Sequence, residues 1–136
     1  MSDFFKAYRA RLVRNQEALI NLIKEVRKAD PTVEAYTGRN DRFICGVVFI
    51  KDEGINSIHF HEVPYRWSGC GYGEFNNYHH SGGENNSMPF TAKDVIDNFK
   101  PIKGMRKSQV EVFKDKAHYL KWSSWLQEFK EEDFIK

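Results

Sequence analysis

Between His59 and Phe90 the chain concentrates most of its chemically capable side chains: HFHEVPYRWSGCGYGEFNNYHHSGGENNSMPF. The stretch holds His59, His61, His79 and His80, four of the five histidines, together with Cys70, one of the two cysteines. Imidazole and thiolate are the usual ligands of zinc and the usual partners in nucleophilic catalysis. His59 and His61 alternate along a β-strand pattern, which puts them on one face and Ile58 and Phe60 on the other. Two imidazoles on one face form half of a metal site, and His79, His80 and Cys70 are the candidates to complete it. No ligand spacing marks a zinc motif, so histidines that hydrogen-bond within a polar face or line a pocket are the plainer account. A Cys70 thiolate with a histidine base, or a histidine paired with Glu62, Glu74 or Glu84, would be the catalytic alternative. Gly69, Gly71 and Gly73 imitate a phosphate-binding glycine loop but lack the Lys-Ser/Thr that completes one. Glycines that permit tight turns are the plainer account.

A different chemistry is more coherent. Tyr65, Trp67, Tyr72, Phe75, Tyr78 and Phe90 offer flat faces, Arg66 a planar cation, and Asn76, Asn77, Asn85 and Asn86 paired donors and acceptors. Aromatic and guanidinium planes stack on bases, and Asn reads base edges. Arg66, with Arg106 and Lys103 or Lys107 further on, suits phosphate. The expected ligand is therefore nucleotide-like. It would be held by Tyr65, Arg66, Trp67, Tyr72, Phe75, Asn76, Asn77, Asn86 and Arg106 without a resident cofactor, zinc being the cofactor the histidines would take. Protein interfaces favour the same side chains, so a surface that blocks a partner protein stays open, as does a small histidine- or metal-dependent hydrolase. Core packing of these aromatics is the plainest alternative. No motif names a reaction, and the chain reads as a binding protein rather than an enzyme.

The elements that must position these residues follow from periodicity. Phe5, Tyr8, Leu12, Asn15, Leu19, Leu22 and Val26 repeat at 3-4 spacing, predicting a helix over 3–29 that Asp30-Pro31 stops. Asn15 in that seam is either an exposed helix edge or a polar pin between two helices of a homo-oligomer. Strands are predicted over Thr32–Tyr36, Arg42–Lys51 and Ile55–Tyr65, with turns at Thr37–Asp41 and Asp52–Gly54. Arg42–Lys51 is apolar on both faces, so both should be covered, one of them by a second protomer. Glycines exclude regular structure from most of the stretch after it. Thr91–Lys100 reads as a short helix with Thr91 and Asp94 as a capping box. Gln109–Phe113 is either a strand or the start of a helix capped by Ser108 and Glu111. Tyr119, Trp122, Leu126 and Phe129 predict a helix over 116–131. The sum is a single domain over 1–136 of α+β class: a long N-terminal helix, a small antiparallel sheet of three to four strands, a long Gly/aromatic loop and two C-terminal helices.

Bulk properties narrow the setting. The net charge of +2 is too small to argue for nucleic acid, although the first helix is locally basic. No apolar run reaches membrane-span length and no signal peptide is expected. Two cysteines form no disulfide framework, so a cytoplasmic protein with reduced thiols is expected. In style the whole chain, short, aromatic-rich and containing many Lys and Asn, resembles small orphan proteins of tailed bacteriophages. That resemblance implies an anti-defence role, such as sequestering a cyclic-nucleotide immune signal in a pocket between subunits. It rests on no specific motif, and it assigns no residue.

Overall fold

The computed structural model describes residues 3–40, 43–61, 66–69, 78–81 and 90–133, with side chains for Arg9, Ala10, 13–38, 46–58 and 90–132. Helix α1 spans Asp3–Ala29 and is followed by strands β1 (Glu34–Asn40), β2 (Phe43–Lys51), β3 (Gly54–His61), β4 (Arg66–Gly69) and β5 (Tyr78–Ser81). Helix α2 (Ala92–Ile96), strand β6 (Lys100–Pro101), helix α3 (Lys116–Trp122) and strand β7 (Gln127–Glu128) complete the regular elements, before a 3-10 turn at Glu131–Asp133. The class is α+β. The sheet is antiparallel, with the order β5-β4-β3-β2-β1-β7 and β6 paired to β3. Among the described residues the sheet has five strands of four or more residues and two of two residues, in rough agreement with the small sheet expected.

Helix α1 forms for the reason its sequence gives. Its stripe of Leu19, Leu22, Ile23 and Val26 packs on Ala35, Val47, Phe49 and Ile58 of the sheet. Full burial of each such side chain stabilises by about 1.5–3 kcal/mol. The described part of the seam is therefore occupied by the chain's own sheet. Asn15 is 4% exposed inside it, rather than presented to a second helix. Past the helix, Thr32 N–H and Oγ1 both donate to Asp30 Oδ1, and Lys51 Nζ reaches Asp30 Oδ2 at 2.6 Å. The bonds from Lys51 and Thr32 hold the Asp30 carboxyl down at about 2.

Strand β2 is buried on both faces, as its sequence requires. Val47 and Phe49 join the α1 core, and Val48 and Ile50 join a second core made by the C-terminal lobe. That lobe is built around Phe113, 1% exposed, with Ile55, Ile102, Met105 and Tyr119 beside it. The cover thus comes from one chain on both sides, where a second protomer had been expected on one. Asp52, at φ 53°, opens the two-residue turn joining β2 to β3. Asp tolerates this left-handed conformation better than most residues.

Four sequence expectations need correction. Thr37–Asn40 continues β1 and is not a turn: Gly38 opposes Gly46, and the register shifts between Gly38 and Arg39. A glycine inside a strand pattern marks a bulge as readily as a turn. The stretch taken as irregular contains β4 and β5. The second helix ends at Ile96, and Lys100–Pro101 crosses to pair with Gly54 and Ile55. The last helix stops at Trp122, because Ser123 Oγ bonds back to Tyr119 O and Leu126 and Phe129 pack from non-helical backbone. Residues 107–110 form a bend, flanked by the single bridge of Arg106 to Val112, so 109–113 is neither a regular strand nor a helix. Ser108 caps the intervening turn, its Oγ accepting from Val110 and Glu111 N–H. The Thr91–Asp94 capping box forms in both directions.

Candidate functional site

Three antiparallel strands set the site. β4 lies between β3 and β5, and its register aligns His61 with Arg66 and Arg66 with Ser81. One row along, His59 aligns with Ser68 and Ser68 with His79. Directly opposed residues occupy the same face of a sheet, and the face alternates along each strand. His59, His61, Arg66, Ser68, His79 and Ser81 therefore share one face. Phe60, Trp67 and His80 form a row of the other, as do Ile58, Gly69 and Tyr78. The buried residues identify the two faces. Ile58 packs with α1, whereas Ile55, two turns of the pleat before His59, packs with the C-terminal lobe. The Arg66 row lies on the lobe's side of the sheet and the Trp67 row on α1's side.

Neighbouring strands lie about 4.8 Å apart, and alternate residues of one strand about 7 Å apart. The Arg66 position is thus about 5 Å from those of His61 and Ser81. The His59 and His79 positions are about 10 Å apart across Ser68. The alternation puts three of the four predicted histidine ligands on one face and the fourth, His80, on the opposite face. It also aligns Arg66 with His61 across the strand pair. A row that carries an arginine favours an anion over a metal cation. Arg66 supplies bidentate donors, and Ser68 and Ser81 supply hydroxyls, the donor set that phosphate takes.

Of the other predicted site residues, Tyr65, Cys70, Tyr72, Phe75, Asn76, Asn77 and Asn86 lie outside the described residues. Arg106 is exposed on the C-terminal lobe, where its guanidinium donates to Gln109 O at 2.8 Å. There it lines a shallow groove of about 490 Å³ with Lys100, Pro101, Lys103, Gly104 and Met105. Sequence reasoning missed Lys100, Ser68 and Ser81. Lys100 read as the end of a helix, and the signal for the serines was the two-residue alternation in Arg66-Trp67-Ser68 and His79-His80-Ser81. Among the described side chains no three of His, Cys, Asp and Glu come together to hold a metal ion, and the four histidines discussed above are outside that set.

Ionisable groups on β1 and the C-terminal lobe have structural work. Tyr36 donates to Glu34 at 2.5 Å, and Lys116 Nζ pairs with the other Glu34 oxygen. Burial and the adjacent Glu34 push the Tyr36 hydroxyl above its usual range, which keeps it neutral. Burial raises Glu34, but the bonds from Lys116 and Tyr36 outweigh it and hold the carboxyl low. His118, the remaining histidine, accepts from Lys114 N–H through Nδ1 at 3.0 Å and sits edge-on to Phe113. No helix among the described residues is long and apolar enough to cross a membrane. No protein-family model, curated protein or solved structure matches the chain.

Proposed function

We propose that the protein binds a nucleotide-like anion on the lobe-side face of its sheet and holds it without turnover. The observation that carries this reading is the cross-strand row His61–Arg66–Ser81, next to the row His59–Ser68–His79. Arg66 would take the phosphate, with imidazole and hydroxyl groups completing its shell. Trp67 stands in the opposite row with Phe60 and His80, so on this reading it does not share the phosphate's face and base stacking is assigned to the other aromatics. Sequestration of a cyclic-nucleotide defence signal is the biological role such binding would serve.

The test is calorimetric titration at low salt with mononucleotides and cyclic dinucleotides. Arg66→Ala should weaken binding by about tenfold or more, since a hydrogen bond to a charged group contributes roughly 1.5–3 kcal/mol. Wild-type affinity in Arg66→Ala, or no affinity for any of these ligands in the wild type, would sink the assignment. In the second case a protein-blocking role becomes the better account.

One observation favours a second reading. Three histidine positions flank Arg66 on one face, which suits an acid and a base on either side of a phosphodiester. Chromatography of the recovered ligand separates the two readings: intact ligand means sequestration, and cleaved ligand abolished by His61→Ala means hydrolysis.

A further inference from the structure

The modest net charge hides a concentrated one. Residues 100–122 carry seven Lys and Arg against Glu111 and Asp115. Lys107 is tied to Glu111 and Lys116 to Glu34, each by an ion pair. Lys100, Lys103 and Arg106 have no ion-pair partner among the described residues, and all three line the one shallow groove together with Gly104. No acidic residue lines it. Gly104 takes φ +87°, and a Cβ there would meet nothing within 4 Å, so the groove is open above this turn. Its underside is fixed: Gly104 N–H donates to Phe113 O, and Phe113 N–H to Met105 O. The Phe113 ring lies 5.2 Å from Trp122, which lies 5.0 Å from Trp125. These two tryptophans remain 42% and 59% exposed.

The groove continues the sheet face already described. β6 and β4 flank the same edge of β3: Lys100 opposes Ile55, and Arg66 opposes His61. Both pairs lie on the lobe-side face, because Ile55 and His61 are an even number of residues apart. Six residues of strand separate them, about 20 Å at roughly 3.3 Å per residue. That is too long for the phosphate groups of a mononucleotide. At about 3.4 Å per stacked nucleotide it spans about six, within the ~4–16 that single-strand binding surfaces cover.

We infer that the groove formed by Lys100, Lys103 and Arg106 is a binding site for the backbone of a single-stranded nucleic acid, which runs along the β3 edge toward Arg66. The exposed Trp122–Trp125 pair gives the same lobe aromatic surface for unstacked bases. Only the Arg66 end of this track rests on the function proposed above; the groove stands on its own residues.

The experiment measures binding of labelled dTMP, dT4, dT12 and U12 by fluorescence anisotropy at several salt concentrations. It uses wild type, Arg66→Ala and the triple variant K100Q/K103Q/R106Q, with a polyglutamate of matching length as control. Thermal unfolding of each variant checks the fold. Four backbone contacts predict a loss of about fifty-fold in wild-type affinity between 50 and 200 mM salt. The triple variant should bind more weakly and lose only about threefold over that range. The 12-mers should bind more tightly than dT4, and U12 against dT12 tells RNA from DNA. Oligonucleotide binding lost in the triple variant but kept in Arg66→Ala supports the groove and removes the sheet-face assignment. Binding of a mononucleotide through Arg66, with no dependence on length or on the triple variant, overturns the groove and leaves that assignment intact. Polyglutamate binding as tightly as dT12 overturns the nucleic-acid reading in favour of an acidic peptide. No binding to any of these ligands ends both.

Discussion

Replacing Phe113 by Ala should remove much of the protein's stability, because this ring is the centre of the C-terminal lobe. It is 1% exposed and meets His118, Tyr119 and Trp122 edge-on at 5.4, 5.1 and 5.2 Å. An aromatic side chain buries roughly 150–250 Å². At about 25 cal/mol per Å² its transfer contributes about 4–6 kcal/mol, of which alanine keeps only a methyl group's share. Each edge contact adds about 0.5–1.5 kcal/mol, and these overlap with the area term. We expect a loss of about 4 kcal/mol, inside the ~3–5 kcal/mol that Phe→Ala core substitutions cost. With a urea slope near 2 kcal/mol/M, the midpoint should fall by about 2 M. Tryptophan fluorescence is the suitable probe, since two of the three tryptophans, Trp122 and Trp125, belong to this lobe. Phe113→Leu, which fills most of the volume, should cost less than half as much. An alanine variant within about 1 kcal/mol of wild type would refute the idea that the lobe, and the basic groove it supports, depends on this ring.

Three further outcomes follow from local interactions. Asp30 has its carboxyl held at about 2 against a usual 3.8 by Lys51 and Thr32, so its stabilisation is present above about pH 4 and disappears as pH falls through about 2. Asp30→Asn should therefore flatten the acid limb of a stability-versus-pH curve, and an unchanged limb would count against the pair. Thr91→Ala removes both the Asp94 N–H bond and the capping box of α2, and should lower stability by about 1 kcal/mol in the same urea assay. Asn15 is 4% exposed and its Nδ2 has no partner among the described residues. Asn15→Leu should therefore raise stability by about 1 kcal/mol or more, and a loss of stability would show that the amide is satisfied.

What the sequence made legible was the apolar periodicity. The 3-4 stripe of α1 and the doubly apolar β2 were read from residue types, and the two cores contain Leu19, Leu22 and Val26 of the stripe and Val47, Val48, Phe49 and Ile50 of β2. Their partners were not legible. An apolar face calls for cover but does not say whose, and here the chain covers both faces of β2 itself. The C-terminal stripe misled for a related reason. Tyr119, Trp122, Leu126 and Phe129 recur at helical spacing, yet only the first two are helical. Leu126 reaches Gly38, where an added Cβ would lie 3.7 Å from it, and Phe129 N–H donates to Ala35 O. Any backbone that brings apolar residues to the core satisfies the pattern, and Ser123 ends the helix by bonding its own turn. β4 and β5 escaped detection because four residues rich in His, Ser and Gly carry almost no strand signal. β4 is held by its pairing with β3, and β5 by its pairing with β4.

The candidate site was legible as a list of residues but not as a partition between faces. Composition puts Arg66 and Trp67 side by side and invites one ligand to use both. Pairing with His61 and Phe60 sends them to opposite faces, while it joins Arg66 to Ser81, fifteen positions away. A double-mutant cycle on nucleotide binding makes the difference measurable. Arg66→Ala and Ser81→Ala remove groups that would share one phosphate, so their effects should fall short of additivity by about 0.5 kcal/mol or more. Arg66→Ala and Trp67→Ala act on separate faces and should add within about 0.3–0.5 kcal/mol, despite being neighbours in the chain. Strong coupling between Arg66 and Trp67 with none between Arg66 and Ser81 would mean that the ligand follows the sequence rather than the sheet, and the site would have to be rebuilt around the edge of β4.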